Sequence, residues 1–310
     1  MKLFDLHCDT PYELFHRHAS LKKNDLHISL NKTITYSAYI QSAAIWSDCR
    51  LSNSEAWDAY LSIQENFKRE TEINPDAILA KNAQDLIRAA DTGKRCFIQA
   101  VEDARILDGD LSRLDRLRED GVRLLTLCWA GKSCIGGSHD TSFPLSDFGA
   151  DVVKRCFEYK ITPDVSHASR AVTEDVLKLA KEYRKPVVAT HSNAHAVHPH
   201  TRNLTDEEFR AITDLGGVIG ISLCPEHLTD GACDINAVVR HIQHYLRIGG
   251  EHSLCLGCDF DGIGDTPAGL ENVARLTALA DRLNLAGLSA STIERIFFDN
   301  AYGFAVENFQ

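Results

Sequence analysis

The first residues of the chain place an imidazole between carboxylates. Asp5, His7 and Asp9 occupy alternate positions in a short stretch that begins with apolar residues. In a β-strand, side chains two positions apart project to the same face, so these three would lie together. An imidazole beside carboxylates is typical of half of a divalent-metal site, and a buried histidine held by hydrogen bonds is the alternative. The rest of the chain has to distinguish the two.

Further residues with metal-binding or acid–base chemistry end later strand-like runs. They are Glu102, His167, His191, Asp259 and Asp261. A single histidine or aspartate in such a place is usually a hydrogen-bonding or turn residue. In a barrel, however, the carboxyl ends of all strands meet at one mouth, where gathered carboxylates would repel one another. A site for two cations would relieve that repulsion, and the set therefore predicts an enzyme.

The elements that must position these residues follow a regular alternation. Strand-like apolar runs, most of them followed by a helical pattern, cover residues 2–9, 38–46, 96–102, 123–129, 162–167, 186–191, 218–224 and 253–259. Eight β/α alternations predict a (β/α)8 TIM barrel. No Pro/Gly/Ser-rich linker interrupts them, so we expect one domain over residues 1–310. A doubly wound open sheet is the alternative fold, although no G-x-G-x-x-G turn follows an early strand.

Helix ends are marked by capping residues. Thr205 and Glu208 form a capping box, and Gly216 is expected to end that helix. Ser291 and Glu294 repeat the capping signal near the C-terminus. Further helices are predicted over residues 111–120, 172–183 and 235–248. These helices would form the outer layer of the barrel.

Composition limits the possible partners. The 310 residues are 44% hydrophobic, which is enough for a large core, and the net charge is -11. Nucleic acid and anionic membranes bind clusters of Lys and Arg, so neither is expected as a partner. The chain shows no apolar signal segment and no run long enough to span a membrane, which predicts a cytoplasmic protein. A homodimer is one possible assembly.

The ten cysteines are scattered, mostly within apolar runs. Without an export signal, this pattern predicts reduced thiols in the core rather than disulfides. Cys255 and Cys258 have the C-x-x-C spacing of redox or zinc sites. Because they fall inside a predicted strand, we expect them to be core residues as well.

With these motifs in order, the chain resembles the membrane (renal) dipeptidase family, zinc metallopeptidases within the amidohydrolase group of barrels. The resemblance extends from Asp5 to Gly262 and continues into the C-terminal helices. The matching motifs are H-x-D at 7–9, V-E at 101–102, D-V-S-H at 164–167, H-S-N at 191–193, T-R-N at 201–203 and D-F-D-G at 259–262. They cover nearly the whole chain.

The resemblance implies a role for each motif. The implied ligands of two divalent metal ions, with zinc expected, are His7, Asp9, Glu102, His167 and His191. Glu102 would bridge the ions, Arg202 would bind the terminal carboxylate of the substrate, and Asp259 would be the catalytic residue. Asp261 is expected to be a turn residue or to support its neighbours.

One position separates this chain from the best-known relatives. Trp129 stands where the best-known family members have a histidine that stabilises the tetrahedral intermediate, and we expect it to shape the substrate pocket. His139, in a glycine-rich loop, is an alternative donor or else a surface residue. Many amidohydrolases bridge their metals with a carbamylated lysine. Lys132 is the nearest candidate, but a solvated loop lysine and a bridge made by Glu102 are the preferred interpretation.

The expected function is a metal-dependent dipeptidase. Two ions sharing Glu102 would generate a bridging hydroxide near neutral pH, and Asp259 would carry its proton to the leaving amine. A substrate with a free carboxylate for Arg202 is a short peptide. Hydrolysis of an acylamino acid, a lactone or a phosphoester on the same metals is the alternative. A binding protein without chemistry is a further alternative, against which the complete ligand set argues.

Overall fold

A parallel sheet curled into a barrel forms the centre of the protein, seen in a computed structural model that describes residues 1–309. Its strands are β1 (Lys2–Cys8), β2 (Ala38–Trp46), β3 (Ala77–Ala80), β4 (Arg95–Glu102), β5 (Leu124–Thr126), β6 (Thr162–Asp164), β7 (Ile219–Ile221) and β8 (Leu254–Leu256). Hydrogen-bonded neighbours follow the order β6-β5-β4-β2-β1-β8-β7. Val188 bridges to Asp164 at the end of β6, and Ala189 bridges to Ile219 of β7. These bridges complete the predicted (β/α)8 barrel.

The sixth predicted strand is reduced to those two bridging residues. The backbones around it are unusually close, because a Cβ at Gly220 or Gly257 would overlap the carbonyl oxygen of Thr190. Only glycine permits that approach. The runs predicted at 123–129, 162–167, 218–224 and 253–259 are also shorter as strands, and their last residues leave the sheet as loops. His167 and Asp259 therefore lie in the loops that follow β6 and β8.

One strand was not predicted. β3 lies beside Arg95–Ile98 of β4, whereas β5 lies beside Ala100–Glu102 of the same strand. β3 is thus an extra strand next to the amino-terminal half of β4, outside the ring. Its four residues are too few to show a period of two.

Helices cover the outside of the barrel. They are α1 (Thr10–His16), α2 (Asn53–Glu72), α3 (Ala83–Thr92), α4 (Arg113–Asp120), α5 (Asp147–Tyr159), α6 (Arg170–Tyr183), α7 (Asp206–Asp214), α8 (Pro225–Leu228), α9 (Ile235–Arg247), α10 (Leu276–Leu285), α11 (Ala290–Glu294) and α12 (Asn300–Asn308). The capping box of Thr205 and Glu208 at the start of α7 is confirmed. The box predicted at Ser291 is wrong. The hydroxyl of Ser289 caps α11 instead, accepting from the backbone N–H of Thr292 at 3.1 Å.

Within residues 1–309, no helix has the length and apolar character that crossing a membrane requires. All ten cysteines are free thiols, and six of them are buried. Cys255 lies on β8 and Cys258 just after it, both buried, as expected for core residues.

Candidate metal centre

The predicted ligands and the predicted catalytic aspartate come together at the carboxyl-terminal mouth of the barrel. His7 lies near the end of β1 with Asp9 just beyond it, and Glu102 ends β4. His167 follows β6, and His191 follows the bridging residues Val188 and Ala189. Asp259 follows β8. The residues His7, Glu102 and His191 are at most 3% exposed. The sequence motifs, far apart in the chain, therefore form one buried cluster.

Glu102 lies at the centre of the cluster. Its Oε1 is 3.1 Å from His167 Nε2 and 3.3 Å from His191 Nε2. The same oxygen is 3.6 Å from His7 Nε2, which lies 3.5 Å from Asp9 Oδ2. Three sets of potential ligands result, His7–Asp9–Glu102, Glu102–His167–His191 and His7–His191–Asp259, and the ligand atoms of each set lie within 4.8 Å of one another. Glu102 belongs to the first two sets.

The unpaired polar atoms of the cluster fit divalent cations. His7 Nε2 and Asp9 Oδ1 are buried without a hydrogen-bond partner. Each such atom costs about 1–3 kcal/mol if nothing satisfies it. The Nε2 atoms of His167 and His191 lie 2.8 Å apart and face the same carboxylate oxygen. Imidazole nitrogens with carboxylate oxygens suit zinc, and also manganese or iron.

The charges of the cluster also favour cations. Burial by itself would lower the pKa of His7, but the surrounding carboxylates, Glu102 foremost, raise it to about 10. Burial raises the pKa of Glu102 well above its usual range and that of Asp259 to about 6. Burial lowers the pKa values of His167 and His191 well below the usual range, so both imidazoles are neutral and have a lone pair available for a metal ion. Bound cations would stabilise the ionised carboxylates.

Unusual backbone geometry places part of the cluster. His167 (φ +68°) and Asp259 (φ +63°) adopt the left-handed region, which costs a non-glycine residue on the order of 1–3 kcal/mol. At Gly262 a Cβ would overlap Asp9 Oδ2 and lie 2.6 Å from Asp259 Oδ1. The glycine of the D-F-D-G motif therefore lets the backbone pass directly against two carboxylates.

Two residues considered from the sequence lie apart from the ligand sets. Asp261 accepts hydrogen bonds from the Thr10 hydroxyl at 2.7 Å and from the His27 backbone N–H at 2.6 Å. It thereby ties the turn after β8 to neighbouring segments. Lys132 is exposed, with its Nζ 4.4 Å from the ring centre of Phe143. The residue that lies beside the imidazoles is Glu102 and not Lys132.

Arg202 is buried next to the cluster with spare donors. It is 4% exposed, and its Nη2 donates to the carbonyl oxygen of His191 at 3.3 Å. Its Nε has no hydrogen-bond partner. Burial lowers the pKa of Arg202, and the charges of Asp259 and Glu102 oppose that shift. A buried guanidinium with unused donors can bind a carboxylate through a charge-assisted pair.

A cavity of about 280 Å³ opens over the cluster. Trp129 forms part of its wall, with its ring centre 6.0 Å from that of His167 and 5.0 Å from that of Trp46. Trp46 and His227 also line the cavity, and sequence reasoning missed both. Trp46 ends β2, so the rule that found the other residues at strand ends would have found it too. His227 lies on the short helix α8, which carried no sequence signal.

His139 is half-buried rather than a surface residue. Its ring centre is 6.1 Å from that of His167, and its Nδ1 lies 2.8 Å from the Thr201 hydroxyl. Its backbone N–H donates to the carbonyl oxygen of His167 at 2.7 Å. Burial, followed by the charge of Arg202, lowers the pKa of His139 to about 4. It is thus a neutral imidazole beside the ligand cluster.

A parallel barrel with imidazoles and carboxylates clustered at its carboxyl-terminal mouth is the architecture of metal-dependent barrel hydrolases. The model of the membrane dipeptidase family (peptidase family M19) matches residues 1–303, and the chain belongs to this family. It is accordingly a hydrolase of a metallopeptidase family, and divalent metal is implied. The resemblance drawn from the motifs is confirmed.

Two known proteins are similar to this chain in sequence. An uncharacterized protein in the pqqA 5′ region of Klebsiella pneumoniae is 34% identical over 235 residues, which are 72% of this chain and 85% of that protein. The dipeptidase tcpJ of Claviceps purpurea (strain 20.1) is 28% identical over 286 residues, which are 87% of this chain. The match spans 66% of the fungal protein.

Solved structures share the fold over the full length. The dipeptidase AC, a metallopeptidase of family M19, superposes with a TM-score of 0.91 at 25% identity, covering 99% of this chain and 98% of that one. A metallopeptidase from Rhodobacter sphaeroides, crystallised with a phosphinate mimic of the dipeptide L-Ala-D-Ala, also gives 0.91, at 24% identity over 100% and 99% of the two chains. At 24% identity, the similarity to the Rhodobacter sphaeroides protein is evidence for the fold alone.

Proposed function

We propose that this chain is a dinuclear metallo-dipeptidase that cleaves short peptides with a free C-terminal carboxylate. The observation that carries the proposal is the position of Glu102, which belongs to two of the three sets of potential ligands and is the residue that those two sets share. One ion would be held by His7, Asp9 and Glu102, and the other by Glu102, His167 and His191. Zinc is the expected metal, and the whole chain would act as one catalytic domain.

When bound, the two ions would polarise the amide carbonyl and supply a bridging hydroxide as nucleophile. Asp259 would accept the proton of the nucleophile and donate it to the leaving amine. Its Oδ1 lies 3.9 Å from His7 Nε2, and its carboxylate lines the cavity. Burial raises its pKa to about 6, which suits a group that accepts and returns a proton near neutral pH.

Substrate recognition would rest on Arg202, Trp129 and His139. The buried guanidinium of Arg202 would pair with the terminal carboxylate of the peptide. Trp129 would form an apolar wall against a substrate side chain, and His139 would contact the substrate or the developing oxyanion. The cavity of about 280 Å³ suits a small ligand such as a dipeptide.

A substrate panel with metal analysis tests the proposal. It contains dipeptides with L- or D-configured C-terminal residues, their C-terminal amides, N-acylamino acids, lactones and phosphoesters. We expect about two metals per chain and hydrolysis of free dipeptides, lost with a chelator and restored by zinc. Protein with two bound metals that cleaves a different class, and no dipeptide, would refute dipeptidase activity.

Arg202→Ala separates the carboxylate anchor from the metal site. We expect a higher KM for free dipeptides, little change for their amides and unchanged metal content. An equal loss for free and amidated substrates would show that Arg202 does not bind the carboxylate.

A further inference from the structure

One hydroxyl group lies behind ligands of both proposed metal ions. Thr190 immediately precedes His191 and is 1% exposed. Its Oγ1 is 2.8 Å from His191 Nδ1 and 3.4 Å from His7 Nδ1. The ring centres of these two histidines are 3.8 Å apart, and in the proposed dinuclear site His7 would hold one ion and His191 the other. Thr190 therefore contacts both histidines on the Nδ1 side of their rings, opposite the Nε2 atoms that would bind metal.

Asp164 determines where the hydroxyl proton of Thr190 points. Asp164 Oδ2 lies 2.6 Å from Thr190 Oγ1 and 2.6 Å from Thr126 Oγ1. Asp164 Oδ1 accepts from the backbone N–H groups of Thr190 at 3.0 Å and of Ser166 at 2.9 Å. With four donors directed at it, this fully buried carboxylate acts as an acceptor. The single hydrogen of the Thr190 hydroxyl is thus committed to Asp164.

The lone pairs of the Thr190 oxygen are then left for the imidazoles. An acceptor facing Nδ1 selects the tautomer with its proton on Nδ1. The Nε2 atoms of His7 and His191 are left as lone-pair donors, 3.6 Å and 3.3 Å from Glu102 Oε1. His167 differs, because its buried Nδ1 has no hydrogen-bond partner.

We propose that Thr190, oriented by Asp164, is a positioning residue that fixes the metal-binding tautomer of both His191 and His7. This inference rests on the proposed dinuclear function. The His191 contact is the shorter one. At 3.4 Å, His7 shares the remaining lone pair with the Ser166 hydroxyl, which is equally far from Thr190 Oγ1. Loss of the hydroxyl should therefore weaken the ion held by His191 more than the ion held by His7.

The chain offers matched variants. Thr190→Val keeps the shape and removes the hydroxyl, whereas Thr190→Ser keeps the hydroxyl. Thr126→Val removes a hydrogen bond of the same 2.6 Å length to the same oxygen of Asp164. It is a control for damage to the Asp164 network without loss of the contact to the ligands.

Zinc affinity is measured for the zinc-loaded full chain by competition with a chelator. We expect Thr190→Val to weaken binding 10- to 100-fold, and Thr190→Ser and Thr126→Val to change it by less than about threefold. Proton NMR of histidine-labelled, zinc-loaded protein should show Nδ1–H signals of His7 and His191 that move upfield in Thr190→Val only. Wild-type zinc affinity in Thr190→Val would overturn the inference.

If Thr190→Val does not fold, the wild-type spectrum still decides. Nuclear Overhauser contacts from the Nδ1–H of both imidazoles to Thr190 are expected, and their absence would refute the assignment. Glu102→Ala separates this outcome from failure of the proposed function. Two ions retained in that variant would refute the dinuclear site, whereas two ions in the wild type with unchanged Thr190→Val would refute only the role of Thr190.

Discussion

At the scale of residues, the two central carboxylates have different surroundings and hence different proposed tasks. Glu102 Oε1 lies within 3.6 Å of the Nε2 atoms of three histidines. At these distances the carboxylate oxygen could share a metal ion with the imidazoles. Asp259 Oδ1 lies farther from an imidazole, at 3.9 Å from His7 Nε2, and Asp259 lines the cavity. We therefore propose that Glu102 holds ions and that Asp259, although it forms a set of potential ligands with His7 and His191, reaches the substrate.

Asp259→Asn tests this division of tasks. The amide cannot accept and return the proton, so kcat should fall at least about a hundredfold while metal content stays near that of the wild type. Asp261→Asn is the control, because the hydrogen-bond partners of that carboxylate are Thr10 and His27 and not the proposed ligands. Loss of metal from Asp259→Asn would show that this residue is a ligand instead.

Trp129 and His139 can be separated by their kinetic effects. If Trp129 shapes the pocket, Trp129→Ala should redistribute kcat/KM among dipeptides with side chains of different bulk. If His139 contacts the oxyanion, His139→Ala should lower kcat for every dipeptide by roughly a hundredfold, with metal retained. A uniform kcat loss in Trp129→Ala with unchanged preferences would contradict the pocket role.

At the scale of elements, the sequence predicted the barrel because buried parallel strands are continuous apolar runs. It found the candidate ligands because those runs end in histidines and carboxylates. It could not predict that the sixth strand would consist of Val188 and Ala189, since pairing depends on neighbours distant in sequence. The contacts of Thr190 were missed for the same reason. A threonine before His191 has no distinctive pattern until folding brings Asp164 and His7 beside it.

The turn after β8 offers a test at this scale. Gly262→Ala should displace the carboxylates of Asp9 and Asp259, because the added Cβ would overlap Asp9 Oδ2. We expect a loss of roughly tenfold or more in metal affinity, as when the support of a ligand is removed. Gly264→Ala is the matched control, since a Cβ there has no atom within 4 Å. Equal metal affinity in both variants would contradict this role of the turn.

At the scale of the whole molecule, the proposed ligands join segments that are remote in sequence. They come from β1, β4, the loop after β6 and the segment after Ala189, which lie around the barrel mouth. A ligand that binds only the folded chain stabilises it in proportion to the logarithm of its concentration over Kd. Bound metal should therefore stabilise the barrel as well as supply chemistry.

Removing the metal should lower the thermal stability of the entire barrel. Free zinc at 100 times its Kd would contribute about 2.7 kcal/mol per independent site, so chelation should lower Tm by several degrees. Calorimetry of chelated and zinc-restored protein measures the shift, and restored zinc should raise Tm again. Glu102→Ala is the control, because a chain without the shared ligand should respond little to zinc. An identical Tm with and without bound metal in the wild type would show that the ions do not join the segments of the barrel mouth.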